Sequence, residues 1–152
     1  MAWSASKVFM ALIEDALENT DAKNLLTDTH KAALYDNDIT PDNTVATANT
    51  VFNAGQWTSA GNEVFDAAEW ATGGVALTAV TSAFAANVYT FDAANTSSGA
   101  SATLAAVFGC LVYDDTVADR GICYNYFGGT NSVTDGTFTI IWHASGIFTA
   151  TG

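Results

Sequence analysis

Residues 101–113 place apolar side chains at both odd and even positions. Leu104, Phe108 and Cys110 fall at even positions, whereas Val107 and Leu111 fall at odd ones. Successive side chains of a β-strand point to opposite faces of a sheet, so both faces of this strand need a covering layer. The segment therefore predicts a long strand in the middle of a sheet, with protein packed on each side.

Short apolar segments separated by turn residues recur over the second half of the chain. Such spacing is typical of an antiparallel β-sandwich or a jelly-roll-like domain, and it predicts a mainly β fold. A turn rich in glycine is expected at 128–132. The predicted strands, besides 101–113, are His30–Tyr35, 75–80, 87–92, 120–127, 133–143 and 147–151.

The N-terminal part of the chain predicts a helix over 6–19, with Ser6 as its N-cap. Its apolar residues recur at helical spacing and predict one buried stripe. We expect an N-terminal arm and helix over 1–29 and a β-sandwich domain over 30–152. Within that domain, the long irregular segment 43–73 is expected to be a functional or interaction arm. The buried stripe predicted for the helix over 6–19 consists of Val8, Phe9, Leu12, Ile13, Ala16 and Leu17.

The charge of the chain disfavours two classes of partner. The chain has 16 acidic residues against 4 lysines and arginines, a net charge of −12. A surface of this sign repels phosphate backbones and anionic membranes, so we expect no nucleic acid and no membrane as a partner. We see no secretion signal and no apolar run of about 18 residues, which predicts synthesis in a cytoplasm.

The chain is 49% hydrophobic but only 13% charged. A small domain of this kind often leaves an apolar patch that a partner covers, so we favour obligate assembly. A soluble domain rich in threonine and alanine is the alternative.

Cys110 and Cys123 are the two cysteines of the chain. A hairpin centred between Thr116 and Val117 would set them opposite one another, and a β-bulge would break that register. Because a cytoplasm is reducing, we expect free, packed thiols.

Several segments resemble, in order, a family of small structural proteins of tailed bacteriophages. They include Leu-Val-Tyr-Asp-Asp-Thr at 111–116, Cys-Tyr-Asn-Tyr-Phe-Gly-Gly-Thr at 123–130 and Asp-Gly-Thr-Phe-Thr-Ile-Ile-Trp at 135–142. His30–Tyr35 and 37–42 resemble the family's N-terminal strand and turn. The resemblance covers about two-thirds of the chain.

That resemblance implies a protein of the virion surface, either a head decoration protein or a tail-associated protein. Its expected partners are the major capsid protein and copies of itself, as a trimer for example. Family members share no catalytic motif, so no catalytic residue is expected.

A decoration protein binds through buried aromatic anchors and apolar area. Lys7 is added to the aromatic candidates because Lys7, Lys23 and Lys31 all lie in the first 31 residues. This asymmetry indicates either that the N-terminal part faces an acidic partner or that it balances its own helix. The interface candidates are Trp3, Lys7, Phe9, Phe52, Trp57 and Trp70.

Catalytic and metal-binding signals are weak. His143 lies on the outward face of its predicted strand, and His30 lies near Asp28 without a nucleophile. Aspartates crowd the turns at 36–42 and 114–119, but neither has the spacing of an EF-hand, and aspartate favours turns for its own hydrogen bonding. We therefore expect no enzyme activity, metal or cofactor.

Exposed aromatic rings could instead stack against sugars, which keeps a second function open. The chain would then be a tail-tip or fibre-associated protein that binds host glycan, or a free carbohydrate-binding module. We favour core or interface roles for these rings. The rings are Trp3, Trp57, Trp70, Trp142, Tyr124 and Tyr126.

Overall fold

The computed structural model describes residues 3–20 and 23–152. Over these residues the chain forms one α-helix, α1 (Met10–Glu18), two single-turn 3-10 helices (Thr47–Asn49 and Gly55–Trp57) and eleven β-strands. The mainly β prediction is confirmed. The strands are β1 (Lys7–Val8), β2 (His30–Tyr35), β3 (Glu63–Val64), β4 (Val75–Ala76), β5 (Thr81–Ala85), β6 (Val88–Asp92), β7 (Thr96–Ser97), β8 (Ala102–Asp114), β9 (Arg120–Gly136), β10 (Thr139–Ile140) and β11 (Phe148–Thr151).

Six strands form the main sheet, in the order β1-β9-β8-β2-β3, with β4 also paired to β2. Every pair in it is antiparallel. The long β8–β9 hairpin makes its centre, and β8 lies between β9 and β2. The central position predicted for 101–113 is therefore confirmed. The second sheet has the strand order β11-β6-β5, and the third sheet has the order β10-β7.

Apolar side chains alternate across both faces of the main sheet. On β2, Ala32 and Leu34 lie on what we call the first face and pack in one hydrophobic cluster. Ala33 and Tyr35 lie on the second face and pack in the other cluster. The second and third sheets cover the first face, and Phe91 of β6 lies fully buried there.

Much of the irregular segment 43–73 covers the second face, where Val45, Phe52 and Trp57 pack together with the preceding Ile39. Val64 and Trp70 of the same segment pack on the first face. The prediction that 43–73 is an arm is therefore wrong in part. The segment is irregular as predicted, but it packs on its own sheet, because Phe52 and Trp57 contact the second face and Trp70 contacts the first.

Bulges change which residues of β8 share a face. The register between β8 and β9 shifts near Leu104, Val107 and Gly109, and Ala106 has a left-handed φ of 56°. Leu104 and Val107 therefore lie in the same cluster as Cys110, although their positions have opposite parity. A strict two-residue alternation does not hold across a bulge.

The predicted helix start at Ser6 is wrong. Lys7 and Val8 pair with Tyr124 and Cys123 of β9, and the Ser6 Oγ accepts the Tyr126 N–H at 2.9 Å. The helix begins only at Met10, because the backbone before it is extended and bound to the sheet. The predicted turn at 128–132 does not end a strand, since β9 runs from Arg120 to Gly136. Between the pairs Gly109–Tyr126 and Val107–Asn131, β9 has three more residues than β8, so the glycines lie in a bulge.

No helix among residues 3–20 and 23–152 combines the length and the apolar character that a membrane span requires.

Candidate functional site

Four of the six predicted interface residues are core residues. Trp3, Phe9, Trp57 and Trp70 each expose 0% of their surface. A side chain without exposed surface cannot contact a partner in this conformation. Their prediction as partner anchors is therefore corrected: they hold the chain's own segments to its main sheet.

Trp57 lies at the centre of an aromatic cluster on the second face of the main sheet. Its ring centroid is 5.1 Å from that of Tyr35, 5.8 Å from that of Trp3 and 6.1 Å from that of Phe9. The Tyr35 hydroxyl donates to the Trp57 carbonyl at 2.7 Å. These contacts fix the segment around Trp57 and the N-terminal segment against β2.

Two glycines explain why Trp3 and Phe9 are buried. A Cβ on Gly109 of β8 would lie 2.6 Å from the Trp3 ring, and a Cβ on Gly121 of β9 would lie 2.7 Å from the Phe9 ring. The absent side chains leave holes in the sheet surface that the two rings fill. The sequence did not predict these contacts, because the residues next to a glycine in the chain do not indicate which distant aromatic ring packs against it.

Trp70 is buried on the opposite face of the main sheet. Its indole N–H donates to the Ala32 carbonyl at 3.2 Å, and its ring packs edge-on against Phe138 at 5.8 Å. Phe52 is half-buried and stacks on Tyr113 at 5.0 Å. Of the six candidates, only Lys7 is exposed.

A group of exposed apolar side chains lies elsewhere, on α1. Met10, Ile13 and Leu17 are 52%, 48% and 83% exposed. Their spacing of three and four residues puts them on one side of the helix, where they form what we call the helix stripe. The buried side of α1 holds Ala11 and Asp15 instead.

A buried carboxylate sets this orientation of α1. Asp15 forms a 2.7 Å ion pair with Lys23, and it accepts a hydrogen bond from the Thr47 hydroxyl at 3.0 Å. Both side chains of the ion pair are almost without exposed surface. Because Asp15 turns inward, Ile13 and Leu17 turn outward, although the sequence predicted that they would be buried.

An apolar cleft of about 830 Å³ opens between α1 and the second sheet. Leu12 and Ile13 line its helix side, and Tyr89 and Phe148 line its sheet side. The helix stripe thus borders a concave apolar surface.

A second cleft, of about 630 Å³, lies between the middle of β9 and residues 138–149. It is lined by the amides of Asn125 and Asn131, by Tyr126 and by the exposed His143. Ile141 at its rim is 76% exposed, whereas Trp142 is only 8% exposed. Of the aromatic rings considered for sugar stacking, Tyr126 alone is more than slightly exposed.

His30 and Asp114 form a buried polar pair at the end of the β2–β8 ladder. The His30 Nδ1 lies 3.9 Å from the Asp114 Oδ2, and neither side chain has exposed surface. Burial lowers the pKa of His30, whereas burial and the neighbouring Asp28 carboxyl raise the pKa of Asp114 to about 6. Neither residue lines the two clefts described above.

The turn aspartates bind their own backbone, as predicted. The Asp114 Oδ1 accepts the N–H groups of Thr116 and Val117, and the Asp42 Oδ1 accepts both the N–H and the hydroxyl of Thr44. These hydrogen bonds lower the pKa of Asp42. Within 3–20 and 23–152, no three histidine, cysteine or acidic side chains are grouped to hold a metal ion.

Comparison with known proteins adds no relative: no family model, no curated protein and no solved structure matches the chain.

Proposed function

We propose that this chain is a decoration protein on the outer surface of a tailed-phage head. The observation that carries the proposal is the helix stripe: three exposed apolar residues lie on the one α-helix of the described residues, in a chain that buries its tryptophans. An exposed apolar patch of this kind marks a surface that binds another protein. The ordered resemblance of the sequence to phage structural proteins supports the major capsid protein as that partner.

The charges around the helix favour a particular partner surface. Glu14 and Glu18 are exposed on α1 beside the stripe, so a complementary surface is apolar with a basic rim. Lys23 pairs with Asp15, and Lys31 pairs with Asp115 at 2.9 Å. These pairs support the interpretation that the N-terminal lysines balance the chain's own carboxylates.

The proposed mechanism is cementing. A protein that binds only the assembled shell stabilises that shell by mass action. Binding through the helix stripe leaves the rest of the acidic surface facing solvent, and it requires no contact with packaged DNA. The chain would be made in the host cytoplasm and would act on the virion surface.

Co-sedimentation with heads that lack this chain tests the proposal. We expect wild-type protein to sediment with the heads and Leu17→Glu to lose at least about tenfold in affinity, because a charge replaces apolar contact area. Ile141→Glu is the matched control, since Ile141 is 76% exposed, close to the 83% of Leu17, but lies at the second cleft. Wild-type protein that ignores the heads, or equal binding by the three proteins, would overturn the proposal.

The second cleft keeps glycan binding as a second candidate function. Asn125, Asn131 and Tyr126 line this cleft, and the amide nitrogens of both asparagines already donate to backbone carbonyls of the chain. An amide oxygen beside an aromatic ring can still accept a sugar hydroxyl while the ring stacks on the sugar. The chain would then act at a tail tip or fibre, or as a free carbohydrate-binding module. A glycan-array signal that Tyr126→Ala abolishes and Leu17→Glu leaves intact would favour this alternative.

A further inference from the structure

Strand β5 lies at the edge of the second sheet. It pairs with β6 on one side, and no strand among the described residues pairs with its other side. Ala85 pairs with Val88 across a two-residue turn, so hydrogen-bonded pairs fall at Ala85 and Ala83. The backbone N–H and C=O groups of Ser82 and Phe84 therefore point away from β6, where a further strand could bind them.

This edge has none of the features that usually protect one. Natural edge strands carry lysine, proline or a bulge that prevents pairing with another chain. β5 has the sequence Thr-Ser-Ala-Phe-Ala, its register with β6 is regular, and Phe84 is 72% exposed. Between Glu69 and Asp114, the only charged residue is Asp92.

We infer that β5 pairs antiparallel with β5 of a second copy of this chain, about a two-fold axis at Ala83. In this register, Ser82 of each copy faces Phe84 of the other, and their outward N–H and C=O groups form the hydrogen bonds. The two Ala83 residues form a non-hydrogen-bonded pair, in which the Cα atoms approach to about 4.5 Å. The two second sheets join into one six-stranded sheet.

Two features favour a second copy over a strand from another protein. The register is self-complementary, because it sets the large Phe84 against the small Ser82 and the smallest side chain, Ala83, at the close contact. The strand also carries no charge, so two molecules of net charge −12 meet without repulsion along it. The inference depends only on this edge and not on where the protein lies on a virion.

Light scattering on the full chain across a dilution series tests the inference. We expect a mass of twice 15.8 kDa that falls to 15.8 kDa on dilution. Ala83→Lys sets two ammonium groups against each other at the axis, so it should raise the dimer dissociation constant at least about tenfold. Ala144→Lys, which makes the same change at an exposed turn, should leave that constant unchanged.

An engineered cysteine tests the register. Non-hydrogen-bonded antiparallel pairs have the short separation that a disulfide requires, so Ala83→Cys should give a covalent dimer on mild oxidation, whereas Ala144→Cys should not. A protein that stays monomeric at all concentrations overturns the inference. A dimer that tolerates Ala83→Lys, or one that Ala83→Cys does not cross-link, also overturns it.

Discussion

Cys110 of β8 lies opposite Asn125 of β9, and Cys123 lies opposite Val112. The register is displaced by one residue at Tyr113, and the shift between Val112 and Tyr113 displaces it by a second, so the two cysteines become diagonal neighbours on one face. Diagonal Cα atoms in a sheet are about 7–8 Å apart, which exceeds the usual range for a disulfide. The predicted hairpin register is therefore wrong by one residue at Tyr113 and by two residues at Cys110, whereas the prediction of free, packed thiols is confirmed.

We predict that neither thiol reacts in the folded protein. Burial raises the pKa of Cys110 and of Cys123 well above the usual value, so the reactive thiolate is scarce. Ellman's reagent should give a negligible signal under native conditions and two thiols per chain in denaturant. Rapid native labelling, or loss of both thiols on oxidation of the folded protein, would contradict this geometry.

Trp57→Ala is predicted to lower the free energy of unfolding by about 3–5 kcal/mol, because it leaves a cavity among four aromatic rings. Leu17→Ala is the exposed counterpart, and it should change the free energy by no more than about 0.5 kcal/mol. Urea unfolding of both variants measures the difference. Similar values for the two substitutions would show that Trp57 is not a core anchor.

The local hydrophobic pattern of the sequence correctly predicted the strands that are buried on both faces. The bounds of β2 agree with the prediction, because turns flank its run of buried residues from Ala32 to Tyr35. β8 was predicted within one residue at each end for the same reason. Both strands are covered by protein on their two faces, and a continuous run of apolar residues is the sequence signal of such a strand.

Three features were not predicted from the sequence: strand β1, strand β5 and the orientation of α1. β1 exists because Lys7 and Val8 meet β9 more than 100 residues later, so helical periodicity alone placed them in α1. β5 was missed because its five residues carry little hydrophobic alternation. The helix stripe was placed on the wrong side because Asp15 binds Lys23 and Thr47, contacts that periodicity does not show.

Ala86→Gly is predicted to stabilise the protein by about 0.5–1 kcal/mol. Ala86 and Asn87 form the turn between β5 and β6 with φ values of 49° and 64°, a conformation that glycine adopts without steric cost. Ala150→Gly, in the extended strand β11, should instead destabilise by about 0.5–1 kcal/mol. Thermal unfolding of both at one protein concentration measures the effects, and two shifts of the same sign would contradict the assigned turn.

Asp114 is predicted to make stability depend on pH. Its folded-state pKa of about 6 lies above the ordinary 3.8, so its stabilising contribution is complete below about pH 4 and is lost as the pH rises through 6. Asp114→Asn removes this titration and keeps an oxygen for the Thr116 and Val117 N–H groups. From pH 4 to pH 7, the wild type should lose about 1–3 kcal/mol relative to the variant.

Urea unfolding of both proteins at each pH measures that difference. Burial lowers the pKa of His30, which costs stability in acid, and Asp114→Asn leaves this cause in place because the side chain stays buried in both proteins. A difference between wild type and Asp114→Asn that stays constant from pH 4 to pH 7 would contradict a buried Asp114 carboxylate.

The position of this chain on purified phage particles tests the proposed function most directly. Cryo-electron microscopy of particles that contain it should show density for the domain on the outer surface of the head, repeated with the capsid lattice, with α1 and Leu17 against the capsid protein. Density confined to the tail tip, or a head-bound domain whose helix stripe faces solvent, would contradict the account.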